Sequence, residues 1–97
     1  MEVADHEPNV WFLLKESGKY YLDARVTRSA VEWTMLIELT EQEHREYHAM
    51  GKVFLHYLAA RIHSFSDEYT TRDLTRQLGD EVTHAIKEWR ASGAASR

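Results

Sequence analysis

The 97-residue chain contains no cysteine. That excludes disulfides, thiolate metal sites and cysteine nucleophiles, and leaves the redox compartment open. Proline occurs once, at Pro8, and the four glycines stand far apart, so no glycine-rich loop is present to cradle a phosphate. Long apolar runs are missing too. The longest, "VWFLL" from residue 10, has the length of a strand and not of a membrane span. The opening "MEVADHEPN" is acidic and lacks the apolar stretch of a signal peptide, so the expectation is a cytoplasmic protein without membrane contact. Charge of one sign is only slightly in excess. A formal net charge of −4 at pH 7 keeps a small domain soluble, makes nucleic acid an unlikely partner and favours a basic protein partner.

What is present suits one globular domain over residues 1–97. Hydrophobic residues make up 43% of the chain, enough for a compact core. A chain of this size buries about 60–70% of the surface its unfolded form exposes, so its stability margin is thin. Residues 1–9 and 92–97 read as loose tails.

Between the tails the hydrophobic period changes once. "VWFLLK" (10–15), "KYYLDARVT" (19–27) and "VEWTMLIEL" (31–39) are strand-length runs, and the last two alternate apolar and polar residues. Gly18 and "RSA" (28–30) supply the turns between them. Trp33, in the most regular run, is expected inside. At Thr40 the sequence "TEQE" fits a capping box and opens a helix over about 41–63, with Tyr47, Gly51, Phe54, Leu55, Leu58 and Ile62 on its apolar stripe. After "SFSDEY", Thr70 and Asp73 give a weaker start signal. Leu74, Leu78, Val82, Ala85, Ile86 and Trp89 then form a second stripe to about residue 91, with Gly79 near its polar side. The expected fold is α+β: a three-stranded antiparallel meander followed by two helices (β-β-β-α-α), arranged as a two-layer sandwich with both helices on one face.

Four histidines lie on the first predicted helix. His44 and His48 are one turn apart, and Glu41 lies within about 60° of both at 100° per residue. That flank has the donors for a divalent transition metal, but a zinc site needs a third or fourth ligand and none is identifiable, so a solvated flank is the reading kept and no cofactor is expected. His56 and His63 project onto the polar side. The serines lack the context of a nucleophile, and no paired-carboxylate arrangement is visible, so no enzyme is expected. Arg72, Arg76, Lys87 and Arg90 fall on one side of the second helix, a stripe able to touch phosphates but diluted by Asp73 and Asp80.

If both helices cover the face bearing Leu22, Trp33, Met35 and Ile37, then Tyr21 and Leu36 point outward. Trp11 and Leu13, or Phe12 and Leu14, stand beside them according to the register of the first strand. An apolar patch on an open sheet face marks a contact surface. The expectation is therefore a small non-enzymatic protein-interaction module, homo-oligomeric, with Tyr21, Leu36, Trp11 and Leu13 at its interface. An inhibitor of the immunity or antitoxin type is the leading role by analogy of size and charge. A metal-binding protein using Glu41, His44 and His48, or a regulator contacting nucleic acid through the basic stripe, are the alternatives.

Overall fold

The computed structural model describes residues 1–93. Four strands, β1 (Glu2–Glu7), β2 (Trp11–Glu16), β3 (Lys19–Arg28) and β4 (Val31–Glu38), pair in chain order as one antiparallel sheet. The helices α1 (Glu41–Met50), α2 (Lys52–Ser64), α3 (Ser66–Tyr69) and α4 (Thr75–Ala91) follow, with a 3₁₀ turn at Thr70–Arg72. The fold is α+β, as the change of hydrophobic period requires, with one more strand and two more helices than the sequence pattern announces.

The extra strand is β1, where a loose lead-in was expected. "EVADHE" carries little apolar alternation, and a bulge between Val3 and Asp5 breaks its period. Pairing with β2, packing of Val3 against the core under the last helix, and ionic ties hold it. The Met1 amino group lies 3.0 Å from Glu16, and Lys52 of α2 reaches Asp5 at 3.7 Å and Glu7 at 3.4 Å. Pro8 and Asn9 turn the chain, with Asn9 at φ 64° and the Val10 N–H donating to the Glu7 carbonyl. The next hairpin has Ser17 and Gly18 as its two loop residues, both at positive φ, which matches the right-handed twist of the flanking strands.

Thr40 caps α1 as its sequence implies. Its hydroxyl accepts from the Glu43 N–H at 3.1 Å, and the Glu43 carboxylate accepts from the Thr40 N–H at 2.8 Å. The expected single helix is divided at Gly51, whose φ of 65° and ψ of −142° lie outside helical space. The break lets α2 turn its apolar side onto the sheet, while α1 buries none of its residues.

The expected two-layer arrangement is wrong, and the physical reason lies in residues 66–74. After α2 the chain passes around the edge of β4. The Leu74 N–H donates to the Leu36 carbonyl at 2.7 Å, and Asp73 Oδ1 accepts from the Leu36 N–H at 3.1 Å. Asp73 Oδ1 also accepts from the Thr75 N–H at 3.0 Å and so starts α4 on the opposite face. The sheet is covered on both sides. Trp11, Leu13, Leu22, Ala24, Val26, Met35 and Ile37 pack against Phe54, Leu55, Leu58, Ala59 and Ile62 of α2. Leu14, Tyr21 and Leu36 pack against Val82 and Ala85 of α4, with Phe12, Leu74, Leu78 and Ile86 half-buried around them. Each fully buried Leu or Ile contributes about 1.5–3 kcal/mol, so both layers matter to a domain of this size.

Trp33, expected inside, is 37% exposed. It pairs with Val26 near the turn end of the β3–β4 hairpin, and its neighbour Val31 is 61% exposed. Of the tail expected at 92–97, Ser92 and Gly93 close α4 through N–H bonds to the Glu88 and Arg90 carbonyls, and residues 94–97 lie outside the described residues. No helix among the described residues is long and apolar enough to cross a membrane.

Candidate binding groove

The surface expected to be open does not exist. Tyr21 and Leu36 lie beneath α4, and Trp11 and Leu13 lie beneath α2; all four are buried within this one chain. Register explains the error. Trp11 and Leu13 share a face with Leu22 and Ile37, whereas Leu14 pairs with Tyr21 on the other. These side chains form the two cores and leave nothing of that patch for a partner.

The histidines are drawn into packing. His44 and His48 meet with their Nε2 atoms 3.0 Å apart, beside Tyr20, whose ring centre lies 4.8 Å from that of His44. Glu41 does not join them, and no three His, Cys, Asp or Glu side chains among the described residues form a metal-sized cluster. His56 Nδ1 accepts from the Trp11 indole N–H at 3.3 Å, and His63 Nε2 lies 3.0 Å from the Thr27 hydroxyl. Both therefore tie α2 to the sheet.

The basic stripe is also broken up. Arg72 precedes α4, and its guanidinium grips both Glu43 oxygens, at 2.6 and 3.1 Å, and the Glu38 carbonyl at 2.9 Å. Burial is the largest single influence on the Glu43 carboxyl and would raise its pKa. The bonds from Arg72 and Thr40 together outweigh it and hold the pKa below the usual carboxylate range. This clamp joins the start of α1 to the end of β4. Arg76 is exposed on α4, and only Lys87 and Arg90 face a common feature.

That feature is a groove of about 440 Å³ between α4 and the sheet. Helix α4 crosses the face obliquely. Its start is bonded to β4 at Leu36, and its end packs on β1, with the Trp89 ring centre 4.6 Å from His6 and 5.6 Å from Phe12. The oblique crossing leaves one corner of the face uncovered, the corner bearing Asp23, Arg25 and Thr34. Phe12 and Trp89 wall the groove, and Lys87 and Arg90 stand at its helix side. A smaller recess of about 270 Å³ shares Asp23, Thr34 and Thr83 with it and continues along α4 past Gly79.

Asp23 sits at the junction of the two. Burial raises its carboxyl from an ordinary 3.8 to about 6; a hydrogen bond with the Thr34 side chain opposes the rise and the Asp73 carboxylate adds to it. Among the described residues Asp23 has no cationic partner, because Arg25 pairs with Glu32 at 3.1 Å. A partly buried carboxyl of raised pKa in a concave site is a recognised mark of a binding or catalytic position. The signal for it in the sequence is an acid in the middle of β3, between Leu22 and Ala24, level with Phe12 and Leu36. The aromatic wall could not be found the same way, since Phe12 and Trp89 are far apart in sequence and meet only through β1 and α4.

Comparison of the chain with family models, with curated proteins and with solved structures finds no match.

Proposed function

We propose that this protein is a non-enzymatic interaction module that pairs with another polypeptide along the exposed edge of β4, and that a second copy of the chain is the partner the edge fits. The observation carrying this reading is the short stretch Val31–Thr34. In β4 the odd-numbered residues bond to β3, so Glu32, Thr34, Leu36 and Glu38 direct their backbone groups outward. Asp73, Leu74 and Arg72 occupy those of Leu36 and the carbonyl of Glu38. Those of Glu32 and Thr34 have no partner among the described residues, and exposed Trp33 and Val31 flank them. The other edge, β1, is interrupted by its bulge and lined with acids, features that deter pairing.

An antiparallel two-fold pairing centred on Trp33 sets Glu32 against Thr34 of the second copy and Val31 against Met35. Trp33 then meets its own counterpart. Each exposed apolar group gains an apolar neighbour, and the one charge faces a neutral hydroxyl. An inhibitor of the immunity or antitoxin type would use the same edge against its target, and the net charge of −4 favours a basic one.

Sedimentation of the wild type, Trp33→Lys and Glu32→Pro tests this. Proline at 32 removes an outward N–H without breaking a bond to β3, and lysine at an edge discourages pairing. The wild type should form a concentration-dependent dimer, and both variants should be monomeric with unchanged circular dichroism. A wild type that is monomeric at millimolar concentration, or variants that associate as it does, would sink the reading.

A further inference from the structure

We infer that the groove beside α4 is a binding site for a guanine nucleotide, or more generally for a planar ring that presents adjacent N–H donors and carries an anionic tail. The groove shares Thr34 with the β4 edge, using its side chain where the edge uses its backbone, and the inference does not require the chain to dimerise.

Three features of the groove define the ligand. The floor offers Asp23, a carboxyl with no cationic partner among the described residues, held by Thr34. A carboxylate accepts hydrogen bonds and cannot donate them, so the group that meets it must bring donors. One wall is an aromatic cluster in which Phe12 and Trp89 meet edge to face, ring centres 5.6 Å apart, with His6 stacked on Phe12 at 5.8 Å. Both Phe12 and Trp89 stay partly exposed and offer the cluster's open side to a flat ring. The helix side carries Lys87 and Arg90. Neither has a carboxylate within ion-pair distance among the described residues, and Arg90 lies over the Phe12 ring at 5.7 Å. Two cations without an ion-pair partner among the described residues, beside an aromatic wall, favour an anion, and a phosphate suits such a pair.

These demands conflict for most small molecules. A simple anion would be repelled by Asp23 at neutral pH, and a simple cation by Lys87 and Arg90. A ligand with donors at one end, a flat body and an anion at the other satisfies all three. Guanine presents its N1–H and its exocyclic amino group side by side, so one carboxylate can accept from both. Adenine offers only its exocyclic amino group on the corresponding edge. The volume, about 440 Å³, lies in the usual range for small-molecule sites.

Binding of guanosine monophosphate to the full chain, followed by titration calorimetry and by tryptophan fluorescence, tests the inference. The nucleotide should bind with a Kd below about 1 mM and alter Trp89 emission. Adenosine monophosphate, ribose 5-phosphate and inorganic phosphate should each bind at least about tenfold more weakly. Asp23→Asn should weaken guanosine monophosphate by about tenfold or more and abolish the preference over adenosine monophosphate. Lys87→Ala should weaken every phosphorylated ligand about equally. No binding of guanosine monophosphate at 5 mM would overturn the proposal. So would equal affinity for inorganic phosphate alone, which would mark a merely cationic surface, or undiminished binding by a folded Asp23→Asn protein. Trp33→Lys, which lies outside the groove, should bind like the wild type; if it does not, the groove is not the site.

Discussion

The two faces of the sheet are each covered by one long helix, of 13 residues on one side and 17 on the other, yet they are built differently. Under α2 the sheet contributes seven buried apolar side chains in register, from Trp11 through Ile37, and no acid lies among them. Under α4 it contributes three, Leu14, Tyr21 and Leu36, beside Asp23, Arg25 and Thr34. Helix α2 runs from β1, where Lys52 meets Asp5 and Glu7, past Trp11 of β2 at His56, to the end of β3, where His63 meets Thr27. Helix α4 crosses obliquely from β4 to β1 and leaves a corner uncovered. Stability is concentrated on one face, and the other combines a smaller core with a concave polar site. That is the division expected where binding needs groups that packing alone would reject.

The largest effect should come from the packed face. Leu55 of α2 is fully buried, and Leu55→Ala leaves a cavity between α2 and the sheet, costing about 2–5 kcal/mol. Ile86 of α4 is only half-buried at the groove, and Ile86→Ala should cost about 1 kcal/mol. Urea denaturation of the two variants measures the contrast. Equal losses would mean that α4 seals its face as tightly as α2 does.

The next effect has the opposite sign. Asp23 has a carboxyl raised to about 6 by burial, so the folded state holds its proton after the unfolded chain has lost it. Over roughly pH 4–6 stability therefore falls as pH rises, and above pH 6 the penalty is complete, approaching about 3 kcal/mol. Asp23→Asn resembles the protonated form. It should raise the denaturation midpoint at pH 7.5 and leave it nearly unchanged at pH 3.5. A variant less stable than wild type at pH 7.5 would mean that the carboxylate is favourably held in the fold, and the two faces would then be less different than their composition suggests.

The elements behind this contrast are legible in the sequence, but the contrast itself is not. Alternation in β3 and β4, the capping box at Thr40 and the apolar stripes of α2 and α4 each reflect local periodicity, and local periodicity survives in one dimension. The side of the sheet on which α4 lands does not. It depends on Asp73 and Leu74 bonding the outer edge of Leu36, from 37 and 38 positions away. With both helices assigned to one face, Tyr21 and Leu36 are left pointing outward and nothing covers the side of the sheet that bears Asp23. β1 shows no alternating pattern for a related reason: long-range pairing, ionic contacts and the single apolar anchor Val3 hold it. Gly51 fits a helical stripe in one dimension, because propensity alone does not separate a tolerated glycine from one at positive φ.

The smallest effect concerns the two helices at positions of matched size. Gly79 lies inside α4 at the edge of the recess near Asp23, without a positive φ, and a methyl group there would meet only Thr75 Cγ2 at 3.6 Å, an ordinary contact. Gly79→Ala should therefore recover most of the helix-propensity difference and stabilise the protein by about 0.5–1 kcal/mol. Ala59 holds the corresponding role on α2, where its methyl is buried against the sheet. Ala59→Gly loses propensity and a packed methyl together, and should cost about 1.5–2 kcal/mol. Thermal unfolding of the two variants gives both signs directly. A destabilising Gly79→Ala would place α4 closer to β4 than a recess of about 270 Å³ allows, and the glycine would then be there to let the helix approach. A stabilising one leaves α4 short of its best helix-forming sequence beside the carboxyl of Asp23, on the face where the groove lies and not on the face that carries the larger core.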